Sequence, residues 1–147
     1  MLGLASFLAG HILYIVGFMK DRKLVEPTEN QFVSKSSVMA WTGVIGVYAI
    51  CIFSYLLPFL GEMALPVLLY VSAISVMLWA AIRRPNHLLN YKVIIIGALF
   101  FIVSDTILAI SIFKGYFPYA SIFVMTTYGL AQLFIASGYA AGDKRIQ

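Results

Sequence analysis

The stretch Val93–Phe113, VIIIGALFFIVSDTILAISIF, runs for 21 residues with a single charged side chain, Asp105. A helix of about 20 mostly apolar residues crosses a hydrocarbon core roughly 30 Å thick. The run therefore predicts a membrane-spanning helix whose one carboxyl, at the thirteenth position, lies close to the midplane. A strand of an outer-membrane barrel would alternate apolar and polar residues over about 10 positions, and this run does not alternate. Four more windows of the same kind lie outward from it: Leu2 to about Met19, about Val38 to Leu57, roughly Met63 to Ile82, and Tyr119 to about Ala140.

Composition agrees. Of 147 residues 62% are hydrophobic and 11% charged, with a mean hydropathy of +0.95. A soluble domain carries about 45–50% apolar and about 25% charged residues, so both a soluble globule and a disordered chain are excluded. The lone cysteine, Cys51, excludes a disulfide framework and a cysteine-based zinc site. The expectation is an all-α polytopic membrane helix bundle of about five transmembrane helices, one transmembrane domain over residues 1–147. It would be an integral, multi-pass membrane protein, in the cytoplasmic membrane if the source is a prokaryote.

The connections are short. Lys20–Ser37 is the longest, Pro58–Glu62 (PFLGE) and Lys114–Pro118 (KGYFP) read as Gly/Pro turns, and Arg83–Lys92 is basic and broken by Pro85. Nine of the ten basic residues fall on one side: Lys20, Arg22, Lys23 and Lys35; Arg83, Arg84 and Lys92; and Lys144 and Arg145 in the tail, against Lys114 alone on the other. In an apolar chain a net charge of +4 so distributed marks cytoplasmic loops, not a nucleic-acid surface. Five spans then place the C-terminus in the cytoplasm and Met1 outside. That orientation needs either a reversed anchor held by Lys20, Arg22 and Lys23, or an odd number of upstream spans.

Ionisable groups deep in a membrane are costly and default to function. Two qualify, Asp105 and His11. With no Lys or Arg inside any span, Asp105 is expected either to be protonated or to face a wet cavity, and both suit proton chemistry; the alternative is packing glue between helices. His11 continues a stripe with Phe7, Tyr14 and Phe18 on one helix face and could line the same cavity, or bond a carbonyl or hydroxyl. Two histidines, His11 and His87, without HxxxH or HExxH spacing make no metal site. Tyr128 and Gln132 share a face of the fifth window, and Gln132 should turn inward. Gly43 with Gly46, Ser72 with Ser75, and Gly97 with Ala98 are expected to permit close helix packing. Trp41, Trp79, Tyr91, Tyr116 and Tyr119 are placed as an interfacial belt.

Several of these residues together resemble the YhhN family of lysoplasmalogenase-like membrane proteins. Gly97–Phe113 is similar to that family's Gly-Ala-x-x-Phe-x-x-Ser-Asp motif. Phe7, His11 and Tyr14 resemble its Phe-x-x-x-His-x-x-Tyr helix, Pro66, Tyr70 and Met77 a Pro-x-x-x-Tyr helix, and Tyr128 and Gln132 the Tyr-x-x-x-Gln of its last span. The resemblance covers nearly the whole chain. It implies a fold of about eight spans in which this sequence corresponds to the C-terminal five; the family's Gly-Asp motif has no counterpart in a membrane window, Gly142-Asp143 falling in the tail.

The activity it implies is hydrolysis of the vinyl ether bond of lysoplasmalogens, giving a fatty aldehyde and glycerophosphoethanolamine or glycerophosphocholine. A proton donor is needed, and a second carboxylate could stabilise the cation or orient water. On this reading Asp105 and His11 are catalytic, Tyr14, Ser104, Tyr128 and Gln132 bind substrate, and no metal or cofactor takes part. The partners are membrane lipids and a lysophospholipid substrate, without nucleic acid. A small proton-coupled transporter would also place one Asp and one His at the midplane, and a non-catalytic lipid-binding protein would use Asp105 as glue. The transporter would show a pathway to both faces, the enzyme a cavity open laterally to lipid.

Overall fold

The computed structural model describes residues 2–24, 33–84 and 91–143, with side chains at 6–20, 33–84 and 91–140. Five α-helices follow in order: α1 (Leu2–Leu24), α2 (Lys35–Leu60), α3 (Ala64–Ile82), α4 (Tyr91–Phe113) and α5 (Ala120–Asp143). Three continuous helical stretches, Lys35–Ile82, Tyr91–Phe113 and Ala120–Ala140, are long and apolar enough to cross a membrane, and α1 adds the apolar stretch Ser6–Lys20. The first stretch is 48 residues long. Straight, it would reach about 70 Å, more than twice a hydrocarbon core, so it must fold back. It does so at Gly61, whose φ of +50° favours glycine, followed by a 3₁₀ turn, Gly61–Met63. The hairpin is tied at its far end by Trp79 Nε1, which donates to Thr42 Oγ1 at 3.1 Å.

Large apolar side chains such as Leu13, Met39, Ile50, Leu65, Ile112 and Met125 project outward on every helix. In water such a surface would aggregate; in lipid it is solvated. The protein is an integral membrane protein built as an all-α helix bundle.

Some expectations about boundaries change. α2 runs through Pro58, which the sequence placed in a turn. Its missing N–H removes a single intrahelical bond, the one the Ser54 carbonyl would accept, in the last turns of the helix. The expected loop Lys20–Ser37 is shortened, because α1 extends to Leu24 and α2 starts at Lys35, capped by the Ser34 hydroxyl accepting from the Ser37 N–H at 3.3 Å. Gly142 and Asp143 belong to the end of α5, not to a tail. Arg84, expected in a basic loop, is buried two residues past the end of α3, its guanidinium 5.5 Å from the Phe18 ring centre and 5.3 Å from that of Tyr139. Pro85, His87, Lys144 and Arg145 lie outside the described residues.

α4 and α5 form the most extensive pair, and Gly97 is the reason they can. A Cβ there would meet Ile135 Cγ1 at 2.8 Å and the Ala131 carbonyl oxygen at 3.0 Å. The second neighbour is backbone and cannot swing aside. Gly97→Val is therefore expected to destabilise the bundle by about 1–3 kcal/mol, the usual cost of overpacking, read as a lower midpoint of thermal unfolding in detergent; an unchanged midpoint would show that the α4–α5 contact contributes nothing. Gly43 and Gly46, expected in close contacts, face open space instead. Ser72 and Ser75 bond their own helix carbonyls, Leu68 and Val71, at 2.8 Å each.

Among the described residues the backbone of α1 comes close only to α3. The gap between α1 and the α4–α5 pair is bridged by side chains, and that gap creates the site.

Candidate functional site

The stripe Phe7, His11, Tyr14 and Phe18 is the seam by which α1 meets the bundle. Phe7 packs edge-on to Tyr128 with ring centres 5.7 Å apart, Tyr14 meets Phe101 at 6.1 Å, and Phe18 stacks on Tyr139 at 5.9 Å. The His11 imidazole is held edge-to-face by Phe101 at 4.7 Å and Tyr70 at 5.4 Å. The ring is fully buried.

Its two nitrogens have distinct duties. Nδ1 lies 2.7 Å from the Phe7 carbonyl oxygen, one turn back on α1. A carbonyl only accepts, so Nδ1 carries a hydrogen and donates it. Nε2 points across the gap to Asp105 Oδ2 at 3.3 Å, with side-chain exposures of 0% and 3%. Two bare lone pairs at that distance would repel, so this edge must hold a proton, on nitrogen or on oxygen. The pair is in contact, yet neither atom makes an aligned hydrogen bond. The sequence reading found no cation within a span to pair with Asp105; the ionisable partner is the histidine of α1.

Tyr70 of α3 also reaches Asp105 with its hydroxyl. On α2, Tyr48 lies 2.7 Å from Thr106 Oγ1, which is itself 2.7 Å from the Ile102 carbonyl. The threonine has one hydrogen and spends it on that carbonyl, so Tyr48 is the donor to Thr106. Neither Tyr48, Tyr70 nor Thr106 was selected from sequence as a site residue. A signal existed: a tyrosine in the middle of an apolar span needs a partner for its hydroxyl.

Two spaces meet near the pair, where the sequence suggested one. A cavity of about 210 Å³ between α2, α3 and α4 has Tyr48, Tyr70, Asp105 and Thr106 in its wall and apolar side chains over the rest. A groove of about 380 Å³ between α1, α4 and α5 is lined by Ser6, Gly10, Tyr14, Phe101, Tyr128 and Gln132 among others. Phe7 lines both. In the groove Tyr14 donates to Gln132 Oε1 at 2.5 Å, which leaves the amide N–H₂ of Gln132 as a donor. Ser104 enters neither space; its hydroxyl donates to the Val124 carbonyl of α5 at 3.2 Å.

The run Gly97-Ala98-x-x-Phe101-x-x-Ser104-Asp105 thus reads as one working edge of α4. Gly97 admits α5, Phe101 braces the imidazole, Ser104 ties α4 to α5, and Asp105 meets His11. Fold and site together define a class: a membrane helix bundle holding an ionisable His–Asp contact in its interior. The chain belongs to the YhhN family, whose profile matches residues 1–139. No curated protein and no solved structure gives a match.

Proposed function

We propose that the protein is a lysoplasmalogenase-like hydrolase that cleaves the vinyl ether bond of a lysophospholipid within the membrane. One observation carries the reading: Asp105, in contact with His11, stands among the polar side chains of a cavity whose remaining wall is apolar. A vinyl ether lysolipid has its labile bond at a like boundary, between a hydrocarbon chain and a glycerophosphate head.

In this reading the proton held between Asp105 and His11 goes to the carbon β to the ether oxygen. The π electrons form the new C–H bond, and positive charge develops on the carbon bonded to oxygen. The carboxylate left behind stabilises that oxocarbenium ion at short range in a medium of low dielectric. Water adds to the charged carbon and gives up a proton to the pair, forming a hemiacetal. Return of that proton to the glycerol oxygen breaks the C–O bond while the hemiacetal hydroxyl gives its own proton to the pair, releasing the aldehyde and the glycerol hydroxyl. One water is consumed and the pair ends as it began. Tyr70 and Phe101 fix the donors, and Tyr14, Tyr128 and Gln132 contact the polar half; Ser104 has only a structural bond to offer.

The test is aldehyde release from lysoplasmenylethanolamine by the purified protein, beside the saturated 1-O-alkyl analogue. The vinyl ether should be cleaved and the alkyl ether left intact, since a saturated chain has no π electrons to accept the proton. Proton movement into proteoliposomes without aldehyde release would favour a transporter instead.

A further inference from the structure

We propose that the cavity between α2, α3 and α4 is a bore for one straight alkyl chain, seated with its functionalised end at Asp105 and its hydrocarbon running toward the α2–α3 turn, and that Ala109 sets its width. The proposal rests on the reading of Asp105 as the reacting end. The polar groups of the wall gather at one level, with Tyr48 on α2, Tyr70 on α3, and Asp105 and Thr106 on α4. From that level each helix continues with apolar lining only: Ile52 and Leu56, Val67 and Met63, Ala109 and Phe113. On α4 the lining extends eight residues from Asp105 to Phe113, or about 12 Å at 1.5 Å per residue, the reach of an extended chain of roughly ten carbons.

Asp105 stands in this wall, its Oδ2 turned toward His11 Nε2 at 3.3 Å. A cavity with its polar side chains gathered at one level and hydrocarbon along its length toward the α2–α3 turn fits a chain amphiphile.

Selection must come from fit and not from hydrophobic gain, because a chain leaving lipid for an apolar cavity changes one hydrocarbon environment for another. Ala109 stands one turn beyond Asp105 on the same face of α4, and a larger side chain there would obstruct the bore near its start. Leu56, fully buried two turns along α2 from Tyr48, stands near its far end.

The experiment uses the full chain in detergent and a saturated 1-O-alkyl glycerophosphoethanolamine carrying a diazirine at the tenth carbon. This probe cannot be hydrolysed, so binding is read apart from catalysis. Photolysis and peptide mapping should place the label on Leu56, Met63, Val67 or Phe113. Ala109→Phe should lower that labelling at least tenfold, as forced overpacking does. Leu56→Phe should lower labelling by this probe while sparing one with a pentyl chain, and it carries the test if Ala109→Phe fails to fold. Label confined to outward residues such as Leu13 and Met125, or retained in full by both variants, would overturn the bore. Labelling as expected in a protein that cleaves no vinyl ether would leave the bore standing and remove the hydrolase; cleavage with no label in the cavity would do the reverse.

Discussion

Asp105→Asn is expected to reduce vinyl ether cleavage by about 10²–10⁴-fold, the span that general acid–base catalysis contributes. An amide cannot give up a proton with useful driving force. It can, however, keep the contact with His11 Nε2, 3.3 Å from the carboxyl oxygen now. The substitution is nearly isosteric and leaves no buried atom worse partnered, so thermal unfolding should move little. That combination separates chemistry from packing. If Asp105 were only glue between α1 and α4, the variant would lose stability or nothing. A folded Asp105→Asn protein that keeps most of its aldehyde release would remove Asp105 from the mechanism.

His11→Phe should lower activity by about 10²-fold through the loss of the group that shares the proton. The phenyl ring can occupy the place of the imidazole against Phe101 and Tyr70, so the aromatic seam survives. Both nitrogens are lost, and Asp105 Oδ2 then faces carbon. Leaving a buried polar group without its partner costs about 1–3 kcal/mol, visible as a lower midpoint of unfolding. The decisive measurement is the double variant. Groups that act as one unit show strongly non-additive effects, so His11→Phe in Asp105→Asn should slow cleavage little beyond the worse single change. Full multiplication of the two losses would mean that the residues act at separate steps.

How much of this was legible follows from what each feature depends on. The spans depend on local composition, and four of five windows matched their helices to within about three residues at each end, α1 extending further into its connection. The Phe7-His11-Tyr14-Phe18 stripe could be read from helical periodicity, because spacing by three and four residues places side chains on one face whatever surrounds them. Asp105 stood out because a carboxyl in hydrocarbon needs a reason.

The partners of these groups were not legible. That His11 would meet Asp105, 94 positions along the chain, depends on how far α1 stands from α4 and on which ring fills the gap. Ser104 and Asp105 are neighbours in sequence, yet the helix turns one to the α5 backbone and the other to α1 and the cavity. Gly97 and Gly43 look alike as small residues in apolar runs, but only Gly97 is approached by another helix. The sequence by itself determined the solvent, the number of helices and the faces that carry polar and aromatic groups, since these follow from the transfer cost of each side chain and the pitch of the helix. Tertiary structure alone decided that His11 meets Asp105, and that a cavity with Asp105 in its wall and a separate groove share Phe7. Helix packing in lipid is governed by shape and not by a hydrophobic force, and shape complementarity is a property of pairs of helices that no single stretch of sequence displays.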